Sequence, residues 1–447
     1  MPTEPLTIGV IGLWHLGSVY SAALAELGHT VIGFDADATT VEKLQNDILP
    51  VQEEGLLPLI QRNKTAGRLS YTHDLADLGE VRVFLVAIDT PCDKEHRPDL
   101  SSIRELFTVL APKLRDGSTV IVSSQVPVGS GEEFQTFLRT ARPKLHFSYI
   151  YLPENLQLGT ALQSFFHPAR IVAGVSDPAA EALIKRIFSP INAPLLCMTV
   201  PSAEMVKHAL NAFLATSLSF IYDIADMCEA YGADVLRVSE ALKSDARIGH
   251  SAYLDASIGF SGATLGRDLT ALVLKGGEKG ITLPVISGAR EKNEERWERI
   301  LPFLRSRIPR LKSVTIGILG LAYKPNTSTL RDSLSLKVME ALKTEVKELR
   351  VHDPMVRWEE AKEAGVTRLY PDPYVALTGT SAVLVMTAWA DYAKLDWKRI
   401  APLMTPPKLL FDAKNFLWKS EAKIKASGIM YAGVGRGIGS GNSRILS

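Results

Sequence analysis

The chain has 447 residues, 46% of them hydrophobic, enough to bury two or three cores. Fifty basic residues against 49 acidic ones leave a net charge of +1, which argues against a nucleic-acid partner or an anionic membrane. The three cysteines, Cys92, Cys197 and Cys228, are widely spaced, which excludes a disulfide framework and zinc spacing and fits reduced thiols in a cytoplasm. The start lacks the basic region of a signal peptide and no apolar run is long enough to span a bilayer, so a cytoplasmic protein is expected, with no metal site.

Residues 7–12 read TIGVIG, an apolar run closed by a glycine turn. SVYSAALAELGH follows as a helix pattern ending at Gly28, then TVIGFD as a strand ending in Asp35. Strand, turn, helix and strand within about thirty residues make a βαβ unit. An acidic side chain at the end of the second strand can hydrogen-bond the adenine ribose hydroxyls of NAD and repels the 2′-phosphate of NADP, so NAD is the expected cofactor. The turn is irregular. It reads Gly12-Leu13-Trp14-His15-Leu16-Gly17, with Trp14 where the dinucleotide fingerprint has its middle glycine. The indole must point away or occupy the space of the pyrophosphate. Because Asp35 is kept, the turn is read as NAD-binding with Trp14 folded outward.

Further along, VRVFLVAIDTP at 81–91 is a buried strand with Thr90 at its carboxyl end, where ligands sit in open α/β sheets. DLSSI at 99–103 starts a capped helix, and STVIVSSQVPVGSG at 118–131 is the next strand and turn. Residues 202–230 form one long, strongly apolar helix pattern. Within it Lys207 and Asn211 are four apart, hence on one face. A lysine beside an amide suits oxidation of a hydroxyl: the lysine accepts a proton or holds an alkoxide, and the amide fixes the oxygen or a water. A helix this apolar needs a partner surface, which predicts a homodimer.

The stretch 244–268, SDARIGHSAYLDASIGFSGATLGRD, follows, with Gly259 and Gly262 crowding a turn where backbone can approach a ligand. After a charged helical segment at 289–299, SVTIGILGLAYKPNTSTLRDS at 313–333 opens a second α/β unit, continued by ELRVHDPMV, SAVLVMTAWADY and LLFDAKNF. Lys324 and Arg331, near its glycine turn, can contact phosphates or hydroxyls. The glycine-rich end reads as a loose tail.

These motifs, in this order, resemble the UDP-glucose/GDP-mannose dehydrogenases over nearly the whole chain. Stretch 244–268 resembles the family pattern RIG…FL…G-F/Y-G-G-S-C-F-x-K-D. YLPENLQLG at 151–159 resembles P-E-F-L-R-E-G, and LLFDAKNF resembles f-D-x-R-N. The resemblance implies two Rossmann-like doubly wound domains joined by a long central helix that makes the dimer, with the active site between domains. The expected boundaries are 1–199 for NAD binding, 200–305 for a central helical dimerisation domain and 306–447 for nucleotide-sugar binding. It implies oxidation of a sugar alcohol on a nucleotide sugar, expected to be UDP-linked, in polysaccharide or glycan precursor synthesis. It assigns Lys207, Asn211, Asp268 and the position of Thr264 to catalysis. It assigns Gly12, Trp14, Leu16, Gly17, Asp35, Thr90, Gln125 and Glu154 to the cofactor. Glu154, Leu156, Lys207, Asn211, Arg247, Tyr253, Leu254, Gly259, Gly262, Lys324, Arg331 and Lys414 fall to the substrate.

The departures gather at the chemistry. Trp14, Asp89, Gln125, Leu158 and Arg267 replace family residues, Lys414 replaces an arginine, and Thr264 stands where the family has its cysteine. A four-electron oxidation through a thioester needs a polarisable thiolate, which threonine lacks. Cys92 reads as an incidental loop cysteine. Two classes of function compete: a dehydrogenase with altered chemistry, and a non-catalytic protein that still binds a nucleotide sugar.

Overall fold

A computed structural model of the chain describes residues 4–91, 93, 97–154, 156 and 158–436, so Cys92 lies outside the described residues. The chain divides into two compact units, residues 1–210 with 270–279, and residues 211–269 with 280–447. Within 200–305, residues 200–210 and 270–279 group with the first unit, and 211–269 and 280–305 with the second.

The first unit is built on eight strands: β1 (Thr7–Ile11), β2 (Thr30–Phe34), β3 (Leu69–Thr72), β4 (Val83–Val86), β5 (Ser118–Val122), β6 (Phe147–Tyr151), β7 (Ile171–Val175) and β8 (Leu195–Met198). Their order is β3-β2-β1-β4-β5-β6-β7-β8, with β6 and β7 antiparallel and every other pair parallel. Strands buried on both faces carry apolar side chains at consecutive positions. On β4, Val83 and Leu85 enter one core cluster while Phe84 and Val86 enter the other. Strand β4 is shorter than the expected 81–91 run. Ala87 makes one more bond, donating its N–H to the Ile11 carbonyl at 2.8 Å, and the chain then turns towards Pro91, which can donate nothing to a ladder. The order reverses at β1, so the carboxyl ends of β1 and β4 flank the crevice where open sheets bind ligands.

The second unit carries β9 (Thr315–Leu319), β10 (Glu348–His352), β11 (Ala382–Val385), β12 (Leu409–Asp412) and β13 (Met430–Gly433), all parallel, in the order β10-β9-β11-β12-β13. Its glycine turn follows β9 as the first unit's follows β1. A Cβ on Gly320 would sit 2.4 Å from Thr387, so only glycine fits there. Asp353, just past β10, accepts the N–H groups of Leu321 and Ala322 at 2.8 and 3.0 Å and holds that turn closed.

One helix, Val200–Tyr231, carries the chain from the first unit into the second, and the division falls between Leu210 and Asn211. In the second unit Asp226 of this helix accepts hydrogen bonds from Arg296 and Arg299 and pairs with Lys292 at 2.7 Å. Opposite charges on neighbouring helices offset the cost of burying Arg296, which is 3% exposed. Among the described residues no helix is long and apolar enough to cross a membrane.

Candidate functional site

Of the sequence-predicted cofactor residues, Gly12, Trp14, Leu16, Gly17, Asp35, Thr90 and Gln125 lie past the carboxyl ends of β1, β2, β4 and β5, and Glu154 follows β6. Gly12 has φ +89, and a Cβ on Gly17 would lie 1.6 Å from the Gly12 carbonyl oxygen. The helix His15–Glu26 therefore packs onto the turn only because both positions are glycine. Trp14 adopts φ −69, a conformation open to any L residue, and its side chain is 53% exposed. Asp35 accepts the Leu13 N–H at 2.7 Å and the Asp37 N–H at 3.0 Å. Each carboxylate oxygen has a second lone pair, so Asp35 braces the turn and keeps capacity for ribose hydroxyls. Thr90 is buried and donates its hydroxyl to the Gln125 carbonyl at 2.7 Å, tying the end of the β4 segment to the turn after β5. These residues fit a dinucleotide: close-packed glycines, a helix N-terminus for the pyrophosphate and an acid for the ribose.

The long helix presents a polar row, Glu204, Lys207, His208 and Asn211, along an otherwise apolar run. Glu204 is fully buried and accepts the N–H groups of Gly129 and Gly131, both at 2.7 Å. Burial pushes its carboxyl up, and the two N–H groups pull it back. His208 bonds the Val126 carbonyl at 2.9 Å. Together they fix the loop that carries Gln125. Lys207 is buried, donates to the Glu154 backbone carbonyl and lies 3.7 Å from the Glu154 carboxylate. Leu156 packs against the core beside this loop. The spacing 204, 207, 208, 211 was the available signal for Glu204 and His208, which pattern reading for Lys207 and Asn211 alone passes over.

In the second unit Asn211 donates its amide to Asp268, which is fully buried. That bond brings together two residues 57 positions apart. An amide that donates through its nitrogen can accept through its oxygen. Asp268 stands in the helix Ala263–Glu278, and Thr264 is exposed in the same helix's first turn. Among the described residues no carboxylate or imidazole is in hydrogen-bond contact with Thr264.

The glycine loop before this helix is held from three sides. The Asn293 side chain pairs with both backbone groups of Phe260, accepting at 2.7 Å and donating at 3.2 Å. Lys414 donates to the Gly259 carbonyl at 3.1 Å, and Ile258 donates to the Ala413 carbonyl. Gly262 donates to the Asp332 carbonyl at 3.0 Å, and a Cβ on it would meet the Tyr323 ring at 2.7 Å. The fold thus joins three stretches that are distant in sequence: 257–268, 323–334 and 412–416. Lys324 sits 5.6 Å above the Tyr323 ring and Arg331 is exposed in the same loop. Burial pushes the Lys414 ammonium down to about 8, against the pull of buried Asp412.

Three predicted substrate residues make no contact with this cluster in the bonds described. Arg247 is exposed and pairs with Asp245 at 2.8 Å. Tyr253 is half exposed, and buried Leu254 accepts the Ser239 hydroxyl through its carbonyl at 2.7 Å.

Comparison with known proteins follows this layout. Family profiles described as the UDP-glucose/GDP-mannose dehydrogenase family NAD binding, central and UDP binding domains match residues 6–192, 201–295 and 317–419. The chain is 32% identical to the UDP-glucose 6-dehydrogenase TuaD of Bacillus subtilis over 96% of this chain and 93% of that protein. It is 30% identical to a UDP-glucose 6-dehydrogenase of Pseudomonas aeruginosa over 96% and 97%. A solved UDP-glucose dehydrogenase of the archaeon Pyrobaculum islandicum superposes with a TM-score of 0.86 at 28% identity, covering 98% of this chain and 99% of that one. The chain belongs to the UDP-glucose/GDP-mannose dehydrogenase family.

Proposed function

We propose that this chain is an NAD-dependent oxidoreductase acting on the CH–OH group of a UDP-linked sugar, in the synthesis of polysaccharide or glycan precursors. The observation that carries the reading is the bond between Asn211 and buried Asp268, which sets an amide one helical turn from Lys207. NAD, when bound, accepts the hydride from the alcohol carbon. Gly12, Gly17, Asp35 and Thr90 hold it. The hydroxyl proton passes to a water, Lys207 stabilises the oxygen it leaves, and Glu154 fixes Lys207 in place. Asn211, oriented by Asp268, accepts from the sugar hydroxyl or a water. Lys324, Arg331 and Lys414 offer cations to the nucleotide phosphates.

Thr264 stands where the family has its cysteine, and among the described residues no base is bonded to its hydroxyl. The chemistry therefore stops after the first hydride, with an aldehyde or its hydrate as product. The working state is a homodimer through the long helix, because Phe213, Phe220, Met227 and Tyr231 are 70%, 48%, 54% and 80% exposed along it. Apolar side chains repeated at that spacing on one helix mark a partner surface.

A screen of nucleotide sugars with NADH absorbance as readout tests the reading. NADH formed with UDP-glucose or a related UDP-sugar is the expected result. Calorimetric binding of a UDP-sugar with no NADH from any sugar would refute the dehydrogenase and leave a binding protein.

A further inference from the structure

Glu53 is 6% exposed, and neither the glycine fingerprint nor the catalytic helix contains it. Its carboxylate nonetheless accepts three hydrogen bonds from two segments of the first unit. One oxygen takes the His15 Nε2–H at 2.8 Å and the Gly159 N–H at 2.8 Å. The other takes the Ala161 N–H at 2.8 Å. His15 is itself 8% exposed and is the first residue of the helix that follows the glycine turn. Gly159 precedes the helix Ala161–Phe166, of which Ala161 is the first residue, and Glu154, five positions before Gly159, receives the Lys207 ammonium on its carbonyl. The helices His15–Glu26 and Ala161–Phe166 also meet through an apolar contact, Tyr20 edge-on to Phe165 at 5.9 Å.

Packing alone would be served by an apolar residue at position 53. A buried carboxylate costs free energy unless it is fully bonded, and its fixed acceptor directions specify geometry that an apolar contact does not. Here those directions join the cofactor turn to the loop that anchors the catalytic lysine.

We propose that Glu53 is a positioning residue: with His15 it holds the glycine turn in register with Gly159 and Ala161, so that Glu154, a few residues earlier in the chain, sets Lys207 correctly against the bound sugar. The inference rests on the dehydrogenase reading for its kinetic consequence. Glu53→Gln keeps the shape, but its amide nitrogen cannot accept, so one or more of the three donors loses its partner.

The experiment uses the full chain and compares the parent, Glu53→Gln, His15→Phe and, as a packing control in the same contact, Phe165→Leu. Melting temperature, kcat, KM for UDP-glucose and NAD, and amide hydrogen exchange of residues 15–19 and 159–163 are measured. In Glu53→Gln, kcat falls by about tenfold to a hundredfold at temperatures well below melting, as expected when a catalytic group is misplaced. KM shifts by less than about threefold, because ground-state binding is little touched. Exchange accelerates in both segments together, and His15→Phe gives a smaller change of the same kind. Phe165→Leu lowers the melting temperature and leaves kcat per folded site within about twofold. A Glu53→Gln protein with parental kcat, or one whose loss Phe165→Leu reproduces at equal destabilisation, overturns the proposal. A parent that makes no NADH refutes the dehydrogenase reading instead. In that case the network is judged by exchange alone: unchanged exchange in Glu53→Gln overturns it, and joint acceleration supports it.

Discussion

On the proposal that Thr264 limits the reaction to one hydride, Thr264→Cys is the perturbation that exposes its role. The position is exposed in the first turn of a 16-residue helix, where backbone N–H groups and the helix dipole favour negative charge. For an exposed group that preference is worth about 0.3–1 kcal/mol, or about 0.2–0.7 of a pKa unit. From an ordinary value of about 8.5, the new thiol would ionise near about 8, so its thiolate share at pH 7.5 rises from about a tenth to between about a seventh and a third. Alkylation by iodoacetamide, followed by peptide mass spectrometry, reads that share directly. Cys197 and Cys228 are poor competitors, since burial pushes both thiols up and neighbouring acids add to it. On the same proposal a reactive thiol alone does not complete the chemistry, because the resemblance read from the sequence also implies departures at Gln125 and Leu158. The parent is expected to release at most one NADH per sugar on the fast timescale, with aldehyde trapped by a carbonyl reagent. Thr264→Cys is expected to alkylate faster without reaching two NADH. Rapid uronate formation with two NADH per sugar in the parent would refute the reasoning about Thr264. The same outcome confined to Thr264→Cys would refute the weight given to Gln125 and Leu158.

Asp35→Ala should weaken NAD binding by about 1–3 kcal/mol, the cost of unpairing the ribose hydroxyls, and calorimetry with NAD and NADP checks it; a parent with equal affinity for both would contradict the assignment. Lys414→Met should stabilise the protein near pH 7. With its ammonium lowered to about 8 in the fold, the unfolded chain binds more protons between about pH 8 and 10.5, so parent stability rises with pH across that window. The gain is about 1–3 kcal/mol at pH 7, toward the low end because part of the side chain still touches solvent, and it vanishes above about pH 10.5. Denaturant titrations at pH 7 and pH 10 that show equal gains would exclude the mechanism. Light scattering at micromolar concentration should give a dimer mass, and Phe220→Glu should reduce it to a monomer; a monomeric parent would count against the helix as an interface.

Much of this protein is legible in its sequence because the features are local. Alternating apolar strands and helices, a glycine turn and Asp35 at a strand end define a βαβ unit by spacing alone, and the lysine and amide four residues apart need only helical periodicity. Glycine positions carry further: Gly12, Gly17 and Gly262 stand where any Cβ would be strained or collide. Other features depend on which chain segments meet, and short-range pattern cannot supply that. Asn211 finds Asp268, Glu53 finds His15 and Ala161, and Lys414 finds the Gly259 carbonyl only through the fold. The motif alone leaves Trp14 to point outward or to fill the pyrophosphate space, and only the fold shows an ordinary backbone with the residue 53% exposed. The sequence by itself determined the elements and the chemical types available, since propensity and periodicity act over a few residues. The tertiary structure decided which buried polar groups meet, because each must find a partner and that partner comes from a distant segment.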